Sequence, residues 1–310
     1  MKGKIIITAI LLLASFAALI IYFILTGIQL SALQADTLRL LVKLYLAACI
    51  YCIVASELTG NYSQVDRLWS LIPLAYAWIV AWQDDFSWRP VLCAILISLW
   101  GLRLTYNFSL KGGYSWLPWK GEEDYRWAVL RKEGPLSNKW VWSLFNILFI
   151  TVYQMGLILY FSLPVLLTME SSDIPFGIWD GIGLVGFLVF LSIETIADIQ
   201  QYRFQTKKYS LLAKGQSLPA PYDKGFIQSG LWAYMRHPNY MAEQMIWLCI
   251  YFFSVAATGS LLNWTIGGFI LLVLLFRGSS DFSERISASK YEHYKDYQKR
   301  VGRFIPKLKI

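Results

Sequence analysis

Apolar runs of about 20 residues recur along the chain between shorter polar stretches. At 1.5 Å per residue such a run crosses a hydrocarbon core about 30 Å thick. The pattern predicts an all-α, polytopic transmembrane bundle with about eight spans, at 4–28, 38–58, 66–82, 90–110, 140–168, 177–200, 239–257 and 261–277. Trp or Tyr stands near many of the run ends, where amphipathic rings settle at a membrane interface. The first run follows Lys2 and Lys4. It is longer than the ~7–15 apolar residues of a signal-peptide core and lacks a small-x-small cleavage site, which predicts a retained anchor.

Composition agrees, with 56% hydrophobic and only 15% charged residues among 310. A soluble single-core fold and intrinsic disorder are both excluded. The charge pattern adds an orientation. With an even span count the two termini and the loops 59–67, 111–139, 201–237 and 277–310 fall on one side, and they hold 24 of the 28 Lys and Arg residues. The positive-inside rule then puts both termini in the cytosol. The net charge of +8 is accounted for by this topology and by anionic headgroups, so nucleic acid is not invoked.

No linker or low-complexity segment marks a separate soluble domain. The expected organisation is N-terminal transmembrane helices over 1–58, then a transmembrane domain over 59–310 with cytosolic loops 111–139 and 201–237 and a C-terminal tail. In that tail Tyr291 to Tyr297 is aromatic and basic with helical spacing, predicting a short helix against the membrane face that Pro306 ends. Cys49, Cys52, Cys93 and Cys249 all lie in apolar runs, and His237 and His293 are far apart. Neither a disulfide framework nor a metal site is expected.

Three stretches carry candidate chemistry. Glu194, Asp198, Gln201 and Gln205 recur at helical spacing and form one polar stripe on the sixth run. Carboxylates at that depth are costly and mark a site by default; the plainer reading is an interfacial cap paired with Arg203 or a loop lysine. The segment Gly230 to Glu243 contains Arg236-His237-Pro238-Asn239-Tyr240 at a helix start. Arg236 and His237 there add positive charge to free N–H groups suited to phosphate or carboxylate, while Asn239, Tyr240, Glu243 and Trp247 share a face. Headgroup contact and interfacial anchoring are the bland alternative. Arg103, with Tyr106 and Asn107 a turn later, ends the fourth run and offers a second phosphate clamp or simply snorkels. Asp66-Arg67-x-Trp69 opens the third run as an ion pair or a pocket element. A Gly181-x-Gly183-x-x-Gly186 pattern imitates the dinucleotide fingerprint but lacks a preceding strand, so close helix packing is expected of it.

Taken in order, Asp66-Arg67-Leu68-Trp69, Leu99 to Arg103, Glu123-Asp124-Tyr125-Arg126, Ile193 to Gln200, Gly230 to Glu243, and Tyr291-x-x-Tyr294-x-x-Tyr297 closing at Phe304-Ile305-Pro306 make the sequence resemble the steroid 5α-reductase superfamily, in its DUF1295-type branch. The resemblance runs from about residue 60 to 306. It implies an integral membrane oxidoreductase acting on CH–CH groups. Later spans and cytosolic loops would enclose NADPH, and hydride transfer would reduce an activated C=C bond in a steroid-, isoprenoid- or lipid-like substrate. Carried over residue by residue, the cofactor-binding positions are Glu194, Asp198, Asn239 and Glu243, joined by Arg103, Asn107, Arg236, His237 and Tyr240. From the tail, Tyr294, Tyr297, Arg300 and Arg303 would meet the adenosine phosphate or ribose. The steroid reductases also hold the enone oxygen with an acidic or amide residue and a tyrosine in early spans, for which Glu57 and Tyr76 are candidates by position.

Membrane methyltransferases similar to the isoprenylcysteine carboxyl methyltransferases share the Arg-His-Pro motif and bind S-adenosylmethionine there. They commonly carry paired glutamates before the closing Tyr-x-x-Tyr, where this chain has Asp281-Phe282-Ser283-Glu284-Arg285. The reductase-like reading is favoured by the Glu194–Asp198 stripe and the Glu123 to Arg126 element. A non-catalytic membrane scaffold is the third reading. The expected partners are a hydrophobic substrate and membrane lipids, without an obligate protein partner, in a bacterial inner membrane or an endoplasmic reticulum.

Overall fold

The computed structural model describes residues 4–115, 117 and 120–307; Lys2 of the N-terminal flank lies outside them. Twelve α-helices follow one another among the described residues. The first five are α1 (Lys4–Thr26), α2 (Ala32–Thr59), α3 (Gln64–Trp69), α4 (Ile72–Gln83) and α5 (Trp88–Ser109). After the short α6 (Tyr125–Leu130), a continuous run over Lys139–Thr168 is built from α7 (Lys139–Phe145), a π-helical stretch (Asn146–Tyr153), α8 (Gln154–Ser162) and a closing 3-10 turn. The last four are α9 (Ile178–Ala213), α10 (Pro238–Thr258), α11 (Ile266–Lys290) and α12 (Tyr294–Arg300). There is no strand among the described residues, only an isolated parallel bridge between Met235 and Gly302.

Six of these helices are long and apolar enough to cross a membrane: Ala32–Thr59, Trp88–Ser109, Lys139–Thr168, Ile178–Ala213, Pro238–Thr258 and Ile266–Lys290. The protein is therefore an all-α, polytopic integral membrane bundle. The first run forms α1, but the third is not one helix. It breaks at Ser70 and Leu71, and Pro73 sits in the first turn of α4, where its missing N–H leaves no bond unmade. The 12 residues of α4 rise about 18 Å, less than the hydrocarbon thickness. The sixth and eighth runs extend the other way. α9 continues from 200 to Ala213 and α11 from 277 to Lys290, so much of the expected loop and tail is helix. The tail helix α12 forms as the spacing predicts but ends at Arg300, six residues before Pro306.

The helices group into two compact units, residues 1–183 with 250–272, and residues 184–249 with 273–310. In the first, α4 lies along α5 and the Lys139–Thr168 helix along α2. α2 is bounded by a Ser31 capping box and by Gly60 in the left-handed region (φ 68°). Gly268 permits a close approach of backbones, since a Cβ there would stand 2.7 Å from Phe161 main-chain atoms. The non-cytosolic side expected for Arg89 holds a buried ion pair with Asp180, whose partners also fix the turn at 171–175. On the second unit's part of α9, Gly186 would place a Cβ 2.7 Å from Cys249 Sγ of α10. That glycine packs helices, and α9 begins without a strand before it, so the fingerprint pattern has no dinucleotide context.

Candidate functional site

The polar stripe of α9 faces inward in the second unit. Glu194 and Asp198 are buried, Gln201 and Gln205 half-buried, while Ile196 and Ile199 between them are exposed. This is the helical periodicity inverted: the carboxylates lie inside and the aliphatic side chains outside, as a lipid-facing helix requires. The first turn of α10 meets the stripe. Asn239 Nδ2 donates to Asp198 Oδ1 at 3.1 Å, and Asn239 Oδ1 accepts from the Tyr240 amide at 3.0 Å. One turn on, buried Glu243 accepts from Trp247 Nε1 at 3.2 Å. The structure thus brings Glu194, Asp198, Asn239 and Glu243 into one unit as an acceptor-rich set with one amide. Tyr240 turns elsewhere: its ring stacks on His237 at 5.2 Å and meets Phe276 edge-on at 4.8 Å.

Arg236 and His237 do not open onto solvent as an anion clamp would. Both are buried, and both converge on Glu284 of α11. Arg236 Nε donates to Glu284 Oε1 at 2.7 Å and Nη2 to Oε2 at 3.2 Å; His237 Nε2 lies 2.9 Å from Oε1. The remaining guanidinium nitrogen, Nη1, donates to the carbonyls of Gln298 (3.1 Å) and Val301. Burial pushes the His237 imidazole below its ordinary range, against the opposing pull of Glu284. A guanidinium whose nitrogens are all bonded within the protein is a fastener, because each donor given to phosphate would have to leave a buried acceptor unpaired.

The tail tyrosines behave likewise. Tyr294 and Tyr297 are buried with Phe226 and Val301 in one cluster, and the Tyr297 hydroxyl donates to the Trp232 carbonyl. Burial raises both phenols. In this arrangement they pack the tail, and the expected ribose contact would need them to leave their own core. The two arginines after them differ in exposure, Arg303 being half-buried. Arg300 is exposed and reaches Gln228 Oε1 at 3.1 Å. Arg303 pairs with Asp281 at 2.6 Å and donates to Ser280 Oγ at 3.1 Å, and Arg277 stands 3.9 Å from the same Asp281.

The other sequence candidates belong to the first unit. Arg103 and Asn107 are half-buried on α5. Glu57 is exposed at the end of α2 and accepts from Ser143 Oγ and Asn146 Nδ2, both at 2.9 Å. Tyr76 is buried in α4, its hydroxyl without a partner among the described residues, beside Tyr45 and Cys49. Cys49 precedes Glu57 by eight residues, about 12 Å of helix rise. Glu57 and Tyr76 lie on different helices, and no hydrogen bond joins them among the described residues.

The Asp66-Arg67-x-Trp69 and Glu123 to Arg126 motifs are joined instead to each other. Trp127 Nε1 donates to Asp66 Oδ2 (2.8 Å), the Asp124 amide to Ser63 Oγ (2.8 Å), and Arg67 Nε to the Gly113 carbonyl (2.9 Å). Burial opposes ionisation of Asp124, yet Arg126 alongside holds its carboxyl below the ordinary range. These motifs dock the loop after α5 onto α3. Sequence reasoning passed over Glu284 as a site residue. Its only signal was a carboxylate in the polar stretch beyond the last apolar run, seven residues before Tyr291.

A curated relative, "Uncharacterized protein C594.04c" of Schizosaccharomyces pombe, is 38% identical over 269 residues, covering 81% of this chain and 74% of that protein. No solved structure matches the chain. Residues 51–301 match the family described as "Protein of unknown function (DUF1295)", a span that includes the α9 stripe, the Arg-His-Pro segment and Glu284. With that share of the chain matched, the protein belongs to the DUF1295 family.

Proposed function

We propose that this protein is an NADPH-dependent membrane reductase of the steroid 5α-reductase type, acting on an activated C=C bond in a hydrophobic substrate. One observation carries the reading: a carboxylate stripe on a membrane helix is buried and bonded, through Asp198 and Asn239, to the first turn of α10. Ionisable groups in such a position are retained for a ligand more often than for stability. The residues fit a dinucleotide in two parts. Glu194, Asp198 and Glu243 supply acceptors for ribose or carboxamide hydrogens, and Asn239 supplies both a donor and an acceptor. Phosphate is suited to Arg303 and Arg277 around Asp281, with Ser280 beside them. Asp281 is 57% exposed and Arg303 16%, so solvent screens their pair from the carboxylate side and a phosphate can take the place of Asp281. NADPH supplies the hydride when bound. The chain's own part is to bind and orient, and to keep water from a site walled by apolar helices.

A second reading, methyl transfer from S-adenosylmethionine, is favoured by a different feature of the same unit. The buried carboxylates Glu194, Asp198 and Glu243 stand in a region where the charge of Arg236 is already matched by Glu284, which suits a cationic sulfonium. Thermal melting of the detergent-purified protein with NADPH, NADH and S-adenosylmethionine in parallel separates the two. A ligand that binds only the folded state at 100 times its dissociation constant adds about 2.7 kcal/mol of stability. Stabilisation by NADPH, lost in Asp198→Ala, supports the reductase. Stabilisation by S-adenosylmethionine alone replaces it with the methyltransferase.

A further inference from the structure

We infer that Glu284 is the positioning residue of this site: a single carboxylate that fastens the C-terminal strap to the start of α10 and so sets where Asn239 and Arg303 stand. The inference rests on the proposed ligand site in the second unit and names a residue outside the chemistry assigned to it.

The geometry is that of a hub. Glu284 is 3% exposed, and its two oxygens receive Arg236 Nε and Nη2, His237 Nε2, and Gln298 Nε2 (2.7 Å). Arg303 Nη2 lies 3.7 Å from Oε2. All five of these groups belong to the two segments that must be held together, 236–237 before α10 and 298–303 of the C-terminal strap. Main-chain bonds run alongside: the Arg236 amide donates to the Gly302 carbonyl (2.8 Å) and the His237 amide to the Arg303 carbonyl (3.1 Å). These two strap carbonyls and the Met235–Gly302 bridge make a short strand-like seam, which the carboxylate closes from the α11 side.

Consequences run from the hub to the site in both directions. Asn239 is two residues beyond His237, in the first turn, so a shift of the His237 backbone carries Asn239 away from Asp198. Arg303 hangs from the same seam, so the same shift moves it from Ser280. A displacement of about 1 Å at a positioning group is enough to cost on the order of a hundredfold in function. A hub with this much hydrogen bonding also explains why Arg236 is an arginine: only its planar fork can bond two carboxylate oxygens and two carbonyls at once.

The test uses the full chain purified in detergent, in Glu284→Gln and the conservative Glu284→Asp. Hydrogen exchange is read at the Arg236 and His237 amides and at 194–201 of α9, and NADPH affinity is read by thermal-shift titration. The expected result is exchange at least tenfold faster at Arg236 and His237 with α9 unchanged, NADPH affinity at least tenfold weaker, and partial rescue of both by Glu284→Asp. Should Glu284→Gln unfold, Gln298→Met removes the strap's own bond to the hub, and exchange about threefold faster at the same two amides is expected. Wild-type exchange at Arg236 and His237, or faster exchange with unaltered affinity, overturns the inference, as does acceleration spread evenly over α9 and α10, the mark of a general stability role. A parent protein that binds no NADPH refutes the reductase reading instead, and the local exchange pattern then decides the fastening role by itself.

Discussion

Changing Asp180 to Asn isolates one buried charge in the first unit. Arg89 and Asp180 are 1% and 0% exposed, joined by two bonds of 2.9 and 3.1 Å, and Asp180 Oδ2 also accepts from the Gly177 amide at 3.0 Å. Asp180→Asn keeps the volume and an acceptor for Gly177 but leaves the guanidinium without a counter-ion. Breaking one partner of a buried pair costs about 3–5 kcal/mol. Arg89 retains the Ser171 carbonyl (3.0 Å), Ser171 Oγ (2.6 Å) and the Ile174 carbonyl (3.3 Å), so the lower end applies. About 3 kcal/mol is a hundredfold change in the unfolding equilibrium and, for a unit of this size, a melting shift of about 6–12 °C. The assay is a detergent melt of the single variant and of Arg89→Met/Asp180→Asn, which removes both charges and is expected to recover more than half of the loss. A single variant that melts within about 1 °C of the parent would refute the reasoning, because it would mean that the pair is hydrated or open in solution.

Three further outcomes are expected. His237 is held below its ordinary pKa of about 6.5 when folded, so the unfolded chain binds the additional proton; stability is full above that value and falls as pH drops through it. A pH series of melts in parent and His237→Gln checks this, the slope below about pH 6.5 flattening in the variant. Asp124 is also held below its ordinary range, contributing stability above the ordinary carboxylate range that is lost as pH falls through its lowered folded value, and Asp124→Asn should therefore expose the 111–131 loop to protease at neutral pH. Gly302→Ala places a Cβ 1.9 Å from the Ile305 carbonyl oxygen, a main-chain atom that must move; a loss of about 1–3 kcal/mol and faster cleavage within the strap are expected, read by melting and limited proteolysis.

The sequence alone determined the class of solvent and the helical register. Runs of apolar residues can satisfy their backbone in lipid only as helices, and the period of 3.6 puts Glu194, Asp198 and Gln201 on one face whatever surrounds them. The short tail helix was legible for the same reason, and so was the inward turn of the α9 stripe, since a carboxylate cannot face lipid cheaply. Local periodicity could not say which partner each polar group meets. Arg236 reads as an anion clamp until α11 brings Glu284 to it from 48 residues away, and Tyr294 and Tyr297 read as ligand contacts until Phe226 closes over them. Glu57 and Tyr76 appeared as a pair only because both lie in early apolar runs, whereas Glu57 is exposed and bonded to Ser143 and Asn146 while Tyr76 is buried in α4. The break in the third run and the continuation of α9 and α11 past their apolar stretches were likewise decided by packing, which overrides propensity at helix ends. Burial, and with it the protonation of His237 and Asp124, is a property of distant segments brought together, and no window of the chain contains it.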